Sequence, residues 1–254
     1  MLEIRDLHAG YGAAEILRGI DLDIPRGRIT VLAGPNGCGK STLLKSIAGM
    51  IPVSRGTIRL EGDNLGNLEP KQRAQKIAFL AQSRQIPEIE VRRLVLHGRF
   101  PYLSYPRRYR QADQDIARRS MEIMGISDLA DRYLRTLSGG QCQKAYIAMA
   151  LAQDTPVVLM DEPTTYLDIR HQLQMMQQSR FLADAGKTVV LVLHDLTMAL
   201  KCADHLVVME QGKVLGQGAP ETVYGSGWLD RAFGVGVERI QTPRGWQYYY
   251  REGD

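Results

Sequence analysis

Residues 34 to 41 read Gly-Pro-Asn-Gly-Cys-Gly-Lys-Ser and fill every fixed position of the pattern G-x-x-x-x-G-K-[ST]. Glycines at these places free the backbone to curl, so that successive N–H groups point at one oxyanion. A helix opening directly after the loop adds the partial positive charge of its first turn. In such a cradle Gly34, Pro35, Asn36, Gly37, Cys38, Gly39, Lys40, Ser41 and Thr42 would hold the phosphates of a nucleotide. Lys40 would reach the β- and γ-phosphates, and the Ser41 hydroxyl would ligate Mg²⁺. Cys38 stands at an unfixed position and reads as a small filler, although a ring of inward N–H groups could lower its pKa and make it thiol-reactive.

A second concentration of chemistry is Asp161-Glu162, which ends the apolar run Val157-Val158-Leu159-Met160. Adjacent acids at a strand end can be plain turn or helix-capping residues. Downstream of a phosphate loop they suit a sharper division of labour: Asp161 faces the metal shell, and Glu162, turned the other way by strand alternation, polarises an attacking water. A third segment, Leu137-Ser138-Gly139-Gly140-Gln141, precedes a helix expected to begin near Cys142. A serine hydroxyl and glycine N–H groups at a helix start form a further anion device. One nucleotide has one γ-phosphate, so two devices in one chain suggest a head-to-tail pair in which each chain completes the other's site.

These groups need elements to position them. Ile29–Ala33, Val157–Met160 and Thr188–Leu193 are short, β-branched and non-alternating, the pattern of strands buried on both faces in a parallel sheet. Helical stretches at Ser41–Ala48 and Leu173–Ala183 follow the first two, giving strand–loop–helix units whose ligands sit at the carboxyl ends of the strands. Residues from about 84 to 152 have another character, rich in Arg, Gln and Met, with helical spacing over Gln111–Met124 and Gln141–Ala152. This reads as a helical subdomain inserted into a core of residues 1–83 and 153–254, all within one domain. Two hairpins are expected near the end, Leu206–Met209 with Val214–Gly216 and Val237–Ile240 with Trp246–Tyr250. The aromatic cluster in the last of these reads as strand packing.

Composition excludes several classes. No run of 18 uncharged apolar residues appears among the 254, so the chain is not expected to cross a bilayer by itself. Three cysteines without a pairing pattern fit a reducing compartment, and the alternating first residues read as a strand and not as a signal peptide. The five histidines and three cysteines have no metal-ligand spacing. The net charge of +4 includes eight arginines between Arg92 and Arg119. They read as a solvated helical face, or alternatively as a surface near anionic lipid or a membrane partner. No aromatic-studded basic motif points to nucleic acid.

With Leu137–Gln141 beside the phosphate loop and the acidic strand end, the sequence resembles the ATP-binding cassette (ABC) ATPase family over essentially its whole length. The resemblance implies a P-loop NTPase core with a mostly parallel sheet, an N-terminal antiparallel β subdomain and an inserted helical subdomain. It implies that Tyr11 stacks on adenine, that Gln82 touches Mg²⁺ and the attacking water beside Ser41 and Asp161, and that Asp168 couples the two sites of a dimer. It further implies that His194 contacts the γ-phosphate, and that Leu137, Ser138, Gly139, Gly140 and Gln141 act in trans. ATP and Mg²⁺ are the implied cofactors. The implied partners are a second copy, two transmembrane permease subunits on the cytoplasmic side and, indirectly, a substrate-binding protein. One departure is Lys144, where the family usually has arginine, which removes a bidentate fork.

A narrower resemblance, to ATPases that serve importers of ferric siderophores, haem and cobalamin, rests on Val95–Tyr102, Ala148–Thr155, Glu162–Ile169 and His171-Gln172. The alternatives are a soluble ABC ATPase of translation or DNA repair, a P-loop small-molecule kinase, a non-catalytic ATP sensor and an exporter. A kinase would not need residues 137–141, and a sensor would not need an intact Glu162 or His194.

Overall fold

The opening alternation of apolar and polar residues becomes a hairpin of β1 (Leu2–Tyr11) and β2 (Ala14–Ile24) in the computed structural model of the chain, which describes residues 1–81, 86–165, 167–243 and 245–252. The run Ile29–Ala33 is β3, and the glycine-rich segment leads from it into α1 (Lys40–Ile47). Strands β4 (Val53–Leu60) and β5 (Asp63–Asn64) return to β1, making an antiparallel sheet in the order β2-β1-β4-β5. Helix α2 (Pro70–Ala74) precedes β6 (Ile77–Leu80). Three helices then intervene, α3 (Val91–His97), α4 (Gln111–Ile123) and α5 (Gly139–Gln153), before the chain re-enters the sheet as β7 (Val157–Asp161). After α6 (Ile169–Asp184), β8 (Thr188–Val192) and α7 (Leu196–Cys202), β9 (His205–Glu210) and β10 (Lys213–Gly218) form a hairpin. Its turn residues Gln211 and Gly212 both have positive φ, 48° and 80°, which matches the twist of the flanking strands. Helices α8 (Pro220–Gly225) and α9 (Trp228–Phe233) lead to the last hairpin, β11 (Val235–Thr242) and β12 (Gly245–Glu252).

The central sheet has the order β10-β9-β3-β8-β7-β6, and every pair except β9–β10 is parallel. The uninterrupted apolar strands are there because both faces are covered. Val158, Met160, Val189 and Leu191 face a core shared with α3 to α6, while Leu159, Val190 and Val192 face α1 and the antiparallel sheet. Each fully buried Val or Leu contributes roughly 1.5–3 kcal/mol, so the strand ends that carry the chemistry are held by stiff packing. In the last hairpin Tyr248 packs on the helical core and meets Tyr224 edge-on, whereas Tyr249 and Tyr250 stay exposed.

The helical block carries most of the arginine cluster, and much of that charge is paired within the chain. Arg92 pairs with Asp131, Arg93 with Glu90 and Arg118 with Asp115. Arg99 is not on a solvated face at all. It lies buried between helices, 3.2 Å from Asp113, and its guanidinium donates to the carbonyl of Ala152 at 3.0 Å. Asp113 also caps α4, accepting from the backbone N–H of Arg110 at 2.9 Å. Arg99→Ala would leave Asp113 buried without its cation, so it should lower unfolding free energy by about 3–5 kcal/mol in a urea titration. A loss below about 1 kcal/mol, the worth of a surface pair, would show that Arg99 does not bind the block together.

Candidate nucleotide site and its relatives

The glycine-rich segment turns sharply because three of its glycines take backbone angles that other residues avoid. Gly34, Gly37 and Gly39 have φ of 152°, 77° and 106°. A Cβ on Gly34 would press on the Met209 carbonyl and lie 2.7 Å from Cys38 Sγ, while a Cβ on Gly39 would lie 2.9 Å from a methyl of Leu17. The loop is tied from behind: Cys38 O accepts from Gly212 N–H at 3.0 Å, and Gly212 O accepts from Arg18 N–H at 2.9 Å. Among the described residues the amides of Gly39, Ser41 and Thr42 donate to no backbone carbonyl, leaving the first turn of α1 open to an anion, while the Lys40 amide reaches the Cys38 sulfur. Lys40 is buried, and its ammonium donates to the carbonyls of Gly34 (2.7 Å) and Pro35 (2.9 Å).

Cys38 is the small filler its position suggests, and its thiol is not made reactive by a lowered pKa. Burial pushes its thiol above the ordinary value, and outweighs the opposing pull of the Lys40 charge and of the Lys40 and Cys38 amides; the residue is only 3% exposed. It is a packed, protonated filler. Burial likewise raises the Cys142 thiol, and pushes Cys202 up to about 12.

Parallel register carries the acids to the loop. Ser41 Oγ donates to Asp161 Oδ1 at 2.7 Å, and burial pushes the Asp161 carboxyl above its ordinary value in spite of that bond and of Lys45 and Lys40. Asp161 pairs with Val192 on β8, so the next residues of both strands leave the sheet side by side. There His194 Nε2 donates to Glu162 Oε1 at 2.6 Å, and Thr165 Oγ1 donates to Glu162 Oε2 at 3.2 Å. Strand alternation is not what turns Glu162, since β7 ends at Asp161 and Glu162 adopts the left-handed conformation with φ of 50°. A non-glycine residue there costs roughly 1–3 kcal/mol, strain that the surrounding packing must hold. His194 is itself fixed by the start of α7, where Asp195 accepts from the backbone of Thr197 and Met198.

Thus Gly34–Thr42, Asp161, Glu162 and His194 form one cluster at the carboxyl ends of β3, β7 and β8. Gln82 lies outside the described residues. Tyr11 stands at the tip of the β1–β2 hairpin, half exposed at 52%, while Ile16 and Leu17 of β2 are the side chains beside Gly39. No sequence motif marks Ile16, Leu17 or Gly212 as part of this wall.

Among the described residues no hydrogen bond or ion pair joins residues 137–141 to the phosphate loop. Helix α5 begins at Gly139 and not near Cys142, because Ser138 is its cap: Ser138 Oγ accepts from Gln141 N–H at 3.3 Å, and Gln141 Oε1 accepts from Ser138 N–H at 3.1 Å. The Gln141 side chain is therefore engaged in its own helix. Leu137 packs against the helical core, Ser138 and Gly139 are exposed, and Gly140 is buried. Asp168 caps α6, and the N–H of His171 holds its carboxyl below the ordinary range.

The sequence profile of the family described as ABC transporter matches residues 17–165. Among curated relatives, the ferric enterobactin transport ATP-binding protein FepC of Escherichia coli (strain K12) is 39% identical over 93% of this chain and 88% of its own length. The petrobactin import ATP-binding protein FpuD of Bacillus anthracis is 40% identical over 87% of this chain and 82% of its own. The solved dimeric structure of MJ0796, a bacterial ABC transporter cassette, superposes with a TM-score of 0.73 at 27% identity, covering 87% of this chain and 99% of that one. The match spans the phosphate loop, Leu137–Gln141 and the acidic strand end together, and on that ground this chain belongs to the ABC transporter family as one of its ATP-binding subunits.

Proposed function

We propose that this chain hydrolyses ATP as a head-to-tail homodimer bound to two permease subunits on the cytoplasmic side of a membrane, driving import of a ferric siderophore or a related metal chelate delivered by a substrate-binding protein. The observation that carries the catalytic part is the Glu162 carboxylate, held by His194 one residue beyond the Asp161–Ser41 pair. Two hard oxygens 2.7 Å apart at the mouth of a phosphate loop are the donor chemistry that suits Mg²⁺, which needs few protein ligands beside substrate phosphates. Ser41 and Asp161, with Gln82, would hold that ion. When bound, it neutralises charge on the β- and γ-phosphates.

The chain's own residues then divide the work. The amides of Gly39 to Thr42 and the Lys40 ammonium bind the phosphates, and Tyr11 stacks on adenine. Glu162 accepts a hydrogen bond from water and orients it for in-line attack on the γ-phosphorus; the P–O bond to ADP breaks, and ADP leaves with phosphate. His194 orients Glu162 and meets the γ-phosphate. Ser138 and its neighbours complete the site of the partner copy, and Asp168 carries the state of one site to the other. Residues from about 82 to 105 take the permease contact. Among the described residues no helix is long and apolar enough to cross a membrane, which leaves translocation to the permease.

The cargo rests on the relatives named for enterobactin and petrobactin. Source cells deleted for this chain should lose uptake of radio-iron supplied as a ferric siderophore and regain it with the wild-type chain. Unchanged iron uptake in the deletion strain would sink the cargo assignment while leaving the ATPase assignment intact.

A further inference from the structure

The dipeptide His171-Gln172 has no place in the hydrolysis chemistry, yet both side chains turn back on the loop that carries Asp168. His171 Nδ1 lies 2.7 Å from Asp168 Oδ1, and since a carboxylate only accepts, Nδ1 carries the proton. Gln172 Nε2 donates to the carbonyls of Leu167 at 3.1 Å and Thr164 at 3.4 Å. The far side of the imidazole covers Gly140. A Cβ at residue 140 would overlap the ring, lying 2.5 Å from Nε2, and Gly140 is buried although Ser138 and Gly139 beside it are exposed. A Cβ on Gly139 would be 3.7 Å from a methyl of Leu167, so the same loop runs alongside the helix start. One imidazole therefore touches two segments that are far apart in sequence, the Asp168 loop and the Leu137–Gln141 helix start. Neither contacts the phosphate loop of its own chain through any hydrogen bond or ion pair among the described residues.

We infer that His171 is a positioning residue that locks Asp168 to the Gly140 turn, so that both segments reach the partner's nucleotide as one rigid unit. This rests on the composite-site reading above. Gly140 is then a glycine because the ring needs the space, not because a phosphate does. Gln172 shares the task by fixing the loop backbone, while His171 joins that loop to the neighbouring helix. The backbone N–H of His171 bonds Asp168 whatever the side chain, so substitution leaves the α6 cap in place.

The test uses the full chain with the Glu162→Gln change, which is expected to hold ATP without turnover. ATP-dependent dimerisation is followed by sedimentation, and nucleotide binding to the monomer by a fluorescent ADP analogue. Adding His171→Ala should weaken ATP-driven dimerisation by about tenfold or more, the scale of one charge-assisted hydrogen bond, while monomer binding stays within about twofold. His171→Gln, which keeps a donor of similar reach, should recover most of the loss. Dimerisation of His171→Ala equal to the Glu162→Gln parent overturns the inference and leaves the composite site standing. Loss of monomer nucleotide binding in His171→Ala, or no recovery with His171→Gln, makes the residue merely structural and overturns it as well. If Glu162→Gln alone stays monomeric in ATP, the composite site itself falls and this inference falls with it.

Discussion

Glu162→Gln is expected to bind ATP with near wild-type affinity while its steady-state turnover falls by about 10²–10⁴-fold, the span that a positioned general base contributes. The amide keeps the volume and one acceptor oxygen, so the cost lies in the lost basicity and not in packing. His194 and Thr165 both donate to the carboxylate, and the left-handed backbone at residue 162 aims it away from the sheet. Those features serve a carboxylate used as an acceptor, and the substituted chain should accumulate an ATP-loaded dimer. Turnover within about fivefold of wild type, measured by phosphate release with Mg²⁺ present, would mean that another group activates the water.

Lys40→Met is expected to abolish the nucleotide-dependent dimer and to reduce turnover by three orders of magnitude or more, roughly the 4 kcal/mol that a desolvated charge contact to a transferring phosphoryl group contributes. The fold should survive. Lys40 is buried, its ammonium donates to Gly34 O, Pro35 O and the Cys38 sulfur, and no carboxylate pairs with it among the described residues. Methionine keeps most of the stem and removes an ammonium whose burial was costly, against the loss of two carbonyl partners. The unfolding free energy should change by no more than about 1–2 kcal/mol, the difference between these opposed effects. Loss of activity together with a collapse in stability would show that Lys40 holds the loop shape and not the phosphates. Retained ATP affinity would refute the role outright.

Lys40 and Glu162 are legible in the sequence because their chemistry is written locally. A glycine-rich loop followed by Lys-Ser must curl and must open a helix, because the constraints lie within eight consecutive residues. The buried strands were legible for a similar reason. Ile29–Ala33 lacks any polar alternation apart from Thr30, so both of its faces had to be covered, and β3 has those same bounds. The hairpin around Gln211-Gly212 follows from apolar runs flanking a turn with a glycine, at which positive φ costs nothing. Element ends were less legible where a side chain captures a backbone group. Helix α5 starts at Gly139, ahead of the expected start near Cys142, because Ser138 and Gln141 cap it reciprocally.

What the sequence alone determined, then, is the identity of the groups: a phosphate cradle, two acids at a strand end, a second helix start suited to an anion, and the sheet class that collects strand ends on one side. Only the tertiary structure decided which of them meet. Parallel pairing of Asp161 with Val192 brings Glu162 to His194, and a backbone angle rather than strand alternation sets the direction of Glu162. Burial decides that Cys38 is an inert filler, that Arg99 is a core ion pair, and that the phosphate loop leans on Leu17 and Gly212. The physical reason is one of range. Backbone angles and hydrogen bonds over a few residues follow from residue type, whereas burial, ion pairing and the approach of residues distant in sequence depend on packing across the whole sheet.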